Sequence, residues 1–227
     1  GLNGLLLLRT GGQKKNVYLE DGLFERARGT FEVTGGGSLL LGRKGDGTAF
    51  DQTLAGKGGQ AGQGMISASG GSRIVVDAGD RNVTLRAYMG GDVTLLSGTL
   101  NLALEKALGS VTDMTFNGGT LALNRMSQSL GAGSTLSLGS SSLSTLDFGG
   151  TAASGNVVMK AGRLGAWAEN GTLIIQGWKG NIAGGGRSQF LLTGYAAASP
   201  KYIGNISFEG YSTADRIARV ADHYEPL

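Results

Sequence analysis

The chain has 227 residues, of which 43 are glycine and 2 are proline, with 40% apolar, 16% charged and 7% aromatic residues and a formal net charge of +3. The small charge, with basic residues scattered and not interleaved with aromatics, argues against a nucleic-acid surface, and the lack of cysteine excludes a disulfide framework or a thiolate zinc site. Glycine without a three-residue period is not collagen, and the regular Leu, Ile and Val content is not that of a disordered linker.

What remains is a series of short strands separated by tight turns, where glycine supplies the positive φ that turns require. The longest apolar run, Leu5-Leu6-Leu7-Leu8, is far too short to span a bilayer. The chain opens on Gly1 without Met or a signal peptide, so a processed fragment is expected, with any targeting segment outside it. A recurring phrase then begins: a glycine or small residue, then Ser or Thr, then alternating apolar residues. It stands first at Gly29-Thr30-Phe31-Glu32-Val33 and Gly37-Ser38-Leu39-Leu40-Leu41. A glycine-dense run, Gly56 to Gly64, follows and reads as a loop or a turn-rich rung, and a protruding loop over 43–65 is where any ligand contact is expected. Strands are then predicted over 73–77, 83–87 and 93–96. The phrase returns at Gly98-Thr99-Leu100-Asn101-Leu102 and Gly119-Thr120-Leu121-Ala122-Leu123, and then over 133–138 and 143–148. A strand over 156–159 leads to the last copy, Gly171-Thr172-Leu173-Ile174-Ile175. Each has period-two alternation, the mark of a half-buried strand. Residues 212–224 read either as a short helix, with Ser212 and Asp215 as a weak capping box, or as a final strand over 216–220. The strand is preferred.

Short strands at irregular close spacing suit a sandwich, a barrel or a solenoid. The solenoid is favoured because long alternating hairpins around Asn-Gly are missing, small polar residues that can stack dominate the turns, and copies drift in length without losing the pattern. One rung burying three or four apolar side chains, at roughly 1.5–3 kcal/mol each, cannot offset backbone ordering of about 1–2 kcal/mol per residue. Stacked rungs share a core, and about nine coils at 4.8 Å spacing would make a rod on the order of 45 Å long. The expected layout is solenoid rungs over 1–165, continuous with final rungs and an aromatic-rich C-terminal cap over 166–227. The cap would draw on Trp167, Trp178, Phe190, Tyr195, Tyr202, Phe208 and Tyr211.

Residues 93–102, then Ala107-Leu108-Gly109-Ser110, then residues 114–123 with Asn117-Gly118-Gly119-Thr120-Leu121, resemble the passenger-associated β-strand repeat of autotransporters. The C-terminal part, with Trp167, residues 171–175, Gly177-Trp178-Lys179-Gly180, Gly184-Gly185-Gly186 and residues 203–211, is similar to the end of autotransporter-repeat proteins of the Verrucomicrobia type. Those proteins carry a Pro-Glu-Pro sorting tail, at which Tyr224-Glu225-Pro226-Leu227 only hints. The resemblance covers about residues 93–220; residues 1–92 share only its texture. It implies a right-handed parallel β-helix exported to the bacterial outer cell surface, and no activity.

Candidate chemistry is sparse. The single histidine, His223, lies four residues from the last one, which leaves no Ser/His/Asp triad or multi-histidine metal site. The densest charge cluster is Asp77, Asp80, Arg81, Arg86 and Asp92, where paired acids could divide general acid and base roles. Asp77 and Asp80 flank Ala78-Gly79, however, which reads as a turn carrying solvated charges neutralised by the arginines. Lys44-Gly45-Asp46-Gly47 lacks the Gly-Lys-Ser/Thr of a phosphate loop, and Asp46 and Asp51 are too isolated for a calcium-binding nonapeptide array. Trp167 and Trp178 could stack on sugar rings, though core or cap packing is the simpler reading. A non-catalytic structural or adhesive rod is therefore expected, without cofactor or metal, with partners being copies of itself through rung edges, or host or matrix glycans. The alternative is a carbohydrate-binding or carbohydrate-cleaving β-helix, with Asp77, Asp80, Trp167 and Trp178 as its ligand-binding residues.

Overall fold

In the computed structural model, the residues described are 5–9, 15–19, 29–55, 64–139, 143–150, 156–168, 170–180, 186–193, 205–210, 217–220 and 223–226. Among them there is no α-helix. The strands are β1 (Leu5–Arg9), β2 (Asn16–Tyr18), β3 (Thr30–Thr34), β4 (Ser38–Leu41), β5 (Gln52–Leu54), β6 (Met65–Ala68), β7 (Arg73–Leu85), β8 (Tyr88–Leu102), β9 (Ser110–Phe116) and β10 (Thr120–Ala122). They continue as β11 (Gln128–Ser129), β12 (Thr135–Leu138), β13 (Leu143–Asp147), β14 (Val157–Ala161), β15 (Arg163–Trp167), β16 (Thr172–Gln176), β17 (Ser188–Leu192), β18 (Ile206–Phe208), β19 (Ile217–Val220) and β20 (His223–Pro226). The chain is all-β, and its sheets are mostly parallel.

Pairing advances steadily along the chain. One path runs β1-β3-β6-β8-β10-β13-β16-β18, parallel at every step. A second, sharing β8, runs β2-β4-β7-β8-β9-β12-β15, also parallel. A separate sheet orders β11-β14-β17 in parallel and then β20 and β19 antiparallel. Parallel partners cannot be joined by a tight hairpin, so intervening chain must return each strand to the start of the next.

The alternation seen in the sequence becomes columns of like side chains. Leu39, Ile74, Val93, Met114, Leu136 and Leu164 are register partners in succession. So are Val83, Leu100, Leu121, Leu146, Ile175 and Phe208. All are buried except Leu164, which packs partly buried against the apolar core that the described residues form. Because side-chain direction has period two, a one-residue slip would turn a whole column outward. The register is therefore fixed by burial.

Buried polar groups secure the turns beside these columns. The Gln52 amide donates to the Leu19 carbonyl at 2.5 Å, and its oxygen accepts from Gly42 N–H at 2.9 Å. The Ser144 and Ser134 hydroxyls, also buried, accept from the N–H groups of Gly118 and Gly162 at 2.9 and 3.0 Å. Each satisfies a backbone N–H that would otherwise be stranded away from water.

Three sequence expectations change in detail. Strands expected separately over 73–77 and 83–87 form the single β7, and those over 93–96 and 99–102 form β8. Ala78-Gly79 is thus not a turn: β7 passes through it, and its register against β8 shifts between Asp77 and Asn82. Gly98 plays the matching part in β8, with φ +72, and a Cβ there would sit 2.6 Å from the Arg81 carbonyl oxygen. The stretch 43–65 contains β5 and a hydrogen-bonded turn, while residues 56–63 lie outside the described residues. At the C-terminus, β19 occupies 217–220, in agreement with the preferred strand; Ser212 and Asp215 lie outside the described residues.

Candidate functional site

Asp77 sits at the register shift of β7, half-buried. Its Oδ2 is 2.6 Å from Nε of Arg43. Its Oδ1 accepts from Nη2 of Arg43 at 2.9 Å and from the Ser97 hydroxyl at 2.7 Å. Ser97 in turn accepts from Gly79 N–H at 2.8 Å, tying the shifted segment of β7 to β8. Arg43 also donates to the Gly47 carbonyl at 2.6 Å, so the same guanidinium holds the 43–49 turn against the strands. Asp77 is neutralised as expected, but by an arginine 34 residues away. Asp80 is fully outside this network: it is highly exposed and 3.3 Å from its neighbour Arg81.

Within the 43–49 turn, Asp46 accepts from Thr48 N–H at 2.8 Å. That bond, with the Thr48 hydroxyl and Lys44 adding to it, holds the Asp46 carboxyl below its usual range. The Lys44 ammonium lies 5.6 Å from the centre of the Phe50 ring. Asp51 is likewise lowered, chiefly by Asn82 N–H at 2.8 Å and then by the Asn82 side chain and Arg81. From Asp51 a polar ladder climbs the outer surface: Asn82 donates to Asp51 at 3.3 Å, Asn101 to Asn82 at 3.0 Å, and Asn124 to Asn101 at 3.5 Å.

Trp178 is buried and meets Phe208 edge-on, with centroids 5.1 Å apart at 67°. Its indole lies against Gly180, where an added Cβ would collide with the ring. A buried indole packed in this way is not presented to a sugar, so Trp178 is a core residue. Trp167 is the register partner of Leu138 in β15, and its side chain is outside the description. His223 lies in β20, opposite Leu191 and Val220. The residues singled out for ligand binding therefore do not share an environment. Asp77 is wired into a strut, Asp80 is solvated and Trp178 is buried.

The sequence reading missed another group. Arg73, Asp92, Asp113, Thr135 and Arg163 are successive register partners on the outer surface of β7, β8, β9, β12 and β15. The first three line an open depression of about 220 Å³, together with Gly71, Val93, Thr94 and Thr115. Asp92 accepts from the Thr112 hydroxyl at 2.8 Å. Side-chain hydroxyls and charges are thus set one strand spacing apart, about 4.8 Å, beside a small hollow. A signal was present in the sequence: Arg73, Asp92, Asp113 and Thr135 each stand directly before an apolar–polar–apolar or wholly apolar strand triplet. Among the described residues no group of three or more His, Cys, Asp or Glu could hold a metal ion, and no helix is long and apolar enough to cross a membrane. No family model, curated protein or solved structure matches the chain.

Proposed function

We propose that the chain is a non-catalytic rod, a right-handed parallel β-helix displayed on a bacterial outer cell surface in the manner of autotransporter passengers. The observation that carries the reading is the unbroken succession of parallel partners from β1 to β18, with apolar columns inward and polar ladders outward. Eight strands in that path correspond to a stack about 34 Å tall. Several outer carboxylates are engaged within the fold: Asp77 pairs with Arg43, Asp80 lies beside Arg81, and Asp51 accepts from the Asn82 N–H. That wiring suits stiffness more than turnover. Small-angle scattering and electron microscopy of the purified chain test it. Elongated particles are expected, and a globular particle with equal axes would overturn the rod.

One observation favours a second reading, a carbohydrate-binding β-helix. The hollow between Arg73, Asp92 and Asp113 offers an arginine fork, two carboxylates and threonine hydroxyls to a polyhydroxylated ligand. A glycan array separates the readings. If a signal appears and the Asp92→Asn, Asp113→Asn double variant abolishes it while Asp80→Asn leaves it intact, the binding reading gains; no signal retires it.

A further inference from the structure

The sheet β11-β14-β17 ends differently from the rest of the molecule. β14 and β17 are joined in parallel through five register pairs, from Val157↔Ser188 to Ala161↔Leu192. The next strand on the β17 edge is β20, which runs antiparallel and meets β17 at only two pairs, Phe190↔Tyr224 and Leu191↔His223. β20 is held more extensively by β19, through four pairs, with just residues 221–222 between the strands. The two strands thus form a hairpin bound more to itself than to the body of the protein. A hairpin alone is at best marginally stable in water, so this one needs a sheet edge to lie on. The edge of β17 is well suited, since Ser188, Phe190 and Leu192 are buried and fix which face points inward.

We infer that this hairpin is exchangeable between two copies of the chain, so that β19–β20 of one molecule can close the β17 edge of another. The occupant is defined by the structure itself: an identical hairpin from a second copy reproduces every backbone bond of the closed form. Exchange of an identical element is a low-cost route to a dimer for that reason. The hairpin is reached from β18, in the other sheet, through residues 209–216. The arrangement gives association between copies a specific element, and it also protects an edge strand that would otherwise template unspecific pairing. It stands on backbone register in the β17 sheet, independently of whether the whole molecule is a rod.

The absence of native cysteine permits a clean test. Leu191→Cys and His223→Cys place thiols at directly opposed positions of the β17–β20 pair, within the range that a disulfide bridges. Light and heavy-isotope forms of the full-length double variant are mixed, incubated at low and high concentration, oxidised and digested with trypsin. Cleavage after Arg187, Lys201 and Arg219 releases the two introduced thiols on separate peptides. Exchange predicts disulfide links between positions 191 and 223 that join heavy to light chains, rising at least several-fold as concentration rises. Links confined within one chain at every concentration would overturn the exchange, and no link between the two positions at all would overturn the docking on which it rests. Circular dichroism of the reduced variant confirms that it is folded. Light scattering of the unaltered chain supplies the second readout, because a strictly monomeric chain across the same concentrations would equally overturn the inference. Particle shape is not an outcome of either measurement, so a failed rod reading and a failed exchange are told apart.

Discussion

At the scale of single residues, two kinds of position carry the fold. Gly98 combines φ +72 with a carbonyl oxygen where a Cβ would fall, so both backbone conformation and space demand glycine. Gly98→Ala should lower stability by about 1–3 kcal/mol, read as a reduced urea midpoint with an unchanged m-value. The second kind is a carboxylate receiving backbone N–H groups. Asp46 and Asp51 are held below the value of 3.8 that they have when unfolded. A lowered folded value means that their contribution is complete above 3.8 and is lost as pH falls through the lowered folded value. The urea midpoint should therefore drop as pH falls below about 3.8 and through the lowered folded values, and Asp51→Asn should flatten part of that drop. Equal acid sensitivity in the variant would assign the loss to other groups. Asp77 shows what sequence cannot disclose at this scale. Its charge and its neighbours Asp80 and Arg81 are plain to read, but its partner Arg43 comes from another turn of the chain.

At the scale of elements, the strand phrases were legible because burial on one face imposes period two. Residues 30–33, 135–138 and 172–175 fall in strands whose burial alternates as the sequence does, whereas 38–41 and 120–122 fall in strands buried at consecutive positions. The merging of 73–77 with 83–87 was not legible. Glycine marks a turn and an interior register shift equally well, and only the partner strand decides between them. The hollow beside Asp92 was hidden for a related reason: its residues are about 20 apart in sequence, and they become neighbours only once the register is known. Columns also predict where an element is vulnerable. Leu100 is fully buried between Val83 and Leu121, so Leu100→Ala should cost about 2–5 kcal/mol. Substituting exposed Leu143 on β13, two strands away, should change stability by less than about 0.5 kcal/mol. Thermal or urea unfolding of the two variants side by side checks the contrast.

At the scale of the whole molecule, parallel pairing along the path from β1 to β18 joins each inner strand of that path to one strand before it and one after it. The parallel order β1 to β18 also fixes how tension would be borne. Hydrogen bonds between successive strands point along the direction in which strands accumulate, so a pull on a terminal strand in that direction passes through every ladder in series but falls on the outermost one a few bonds at a time. Such a body peels strand by strand at modest force and does not rupture at once under shear. Each released strand leaves behind an intact template, onto which the same segment can wind back when the load is removed.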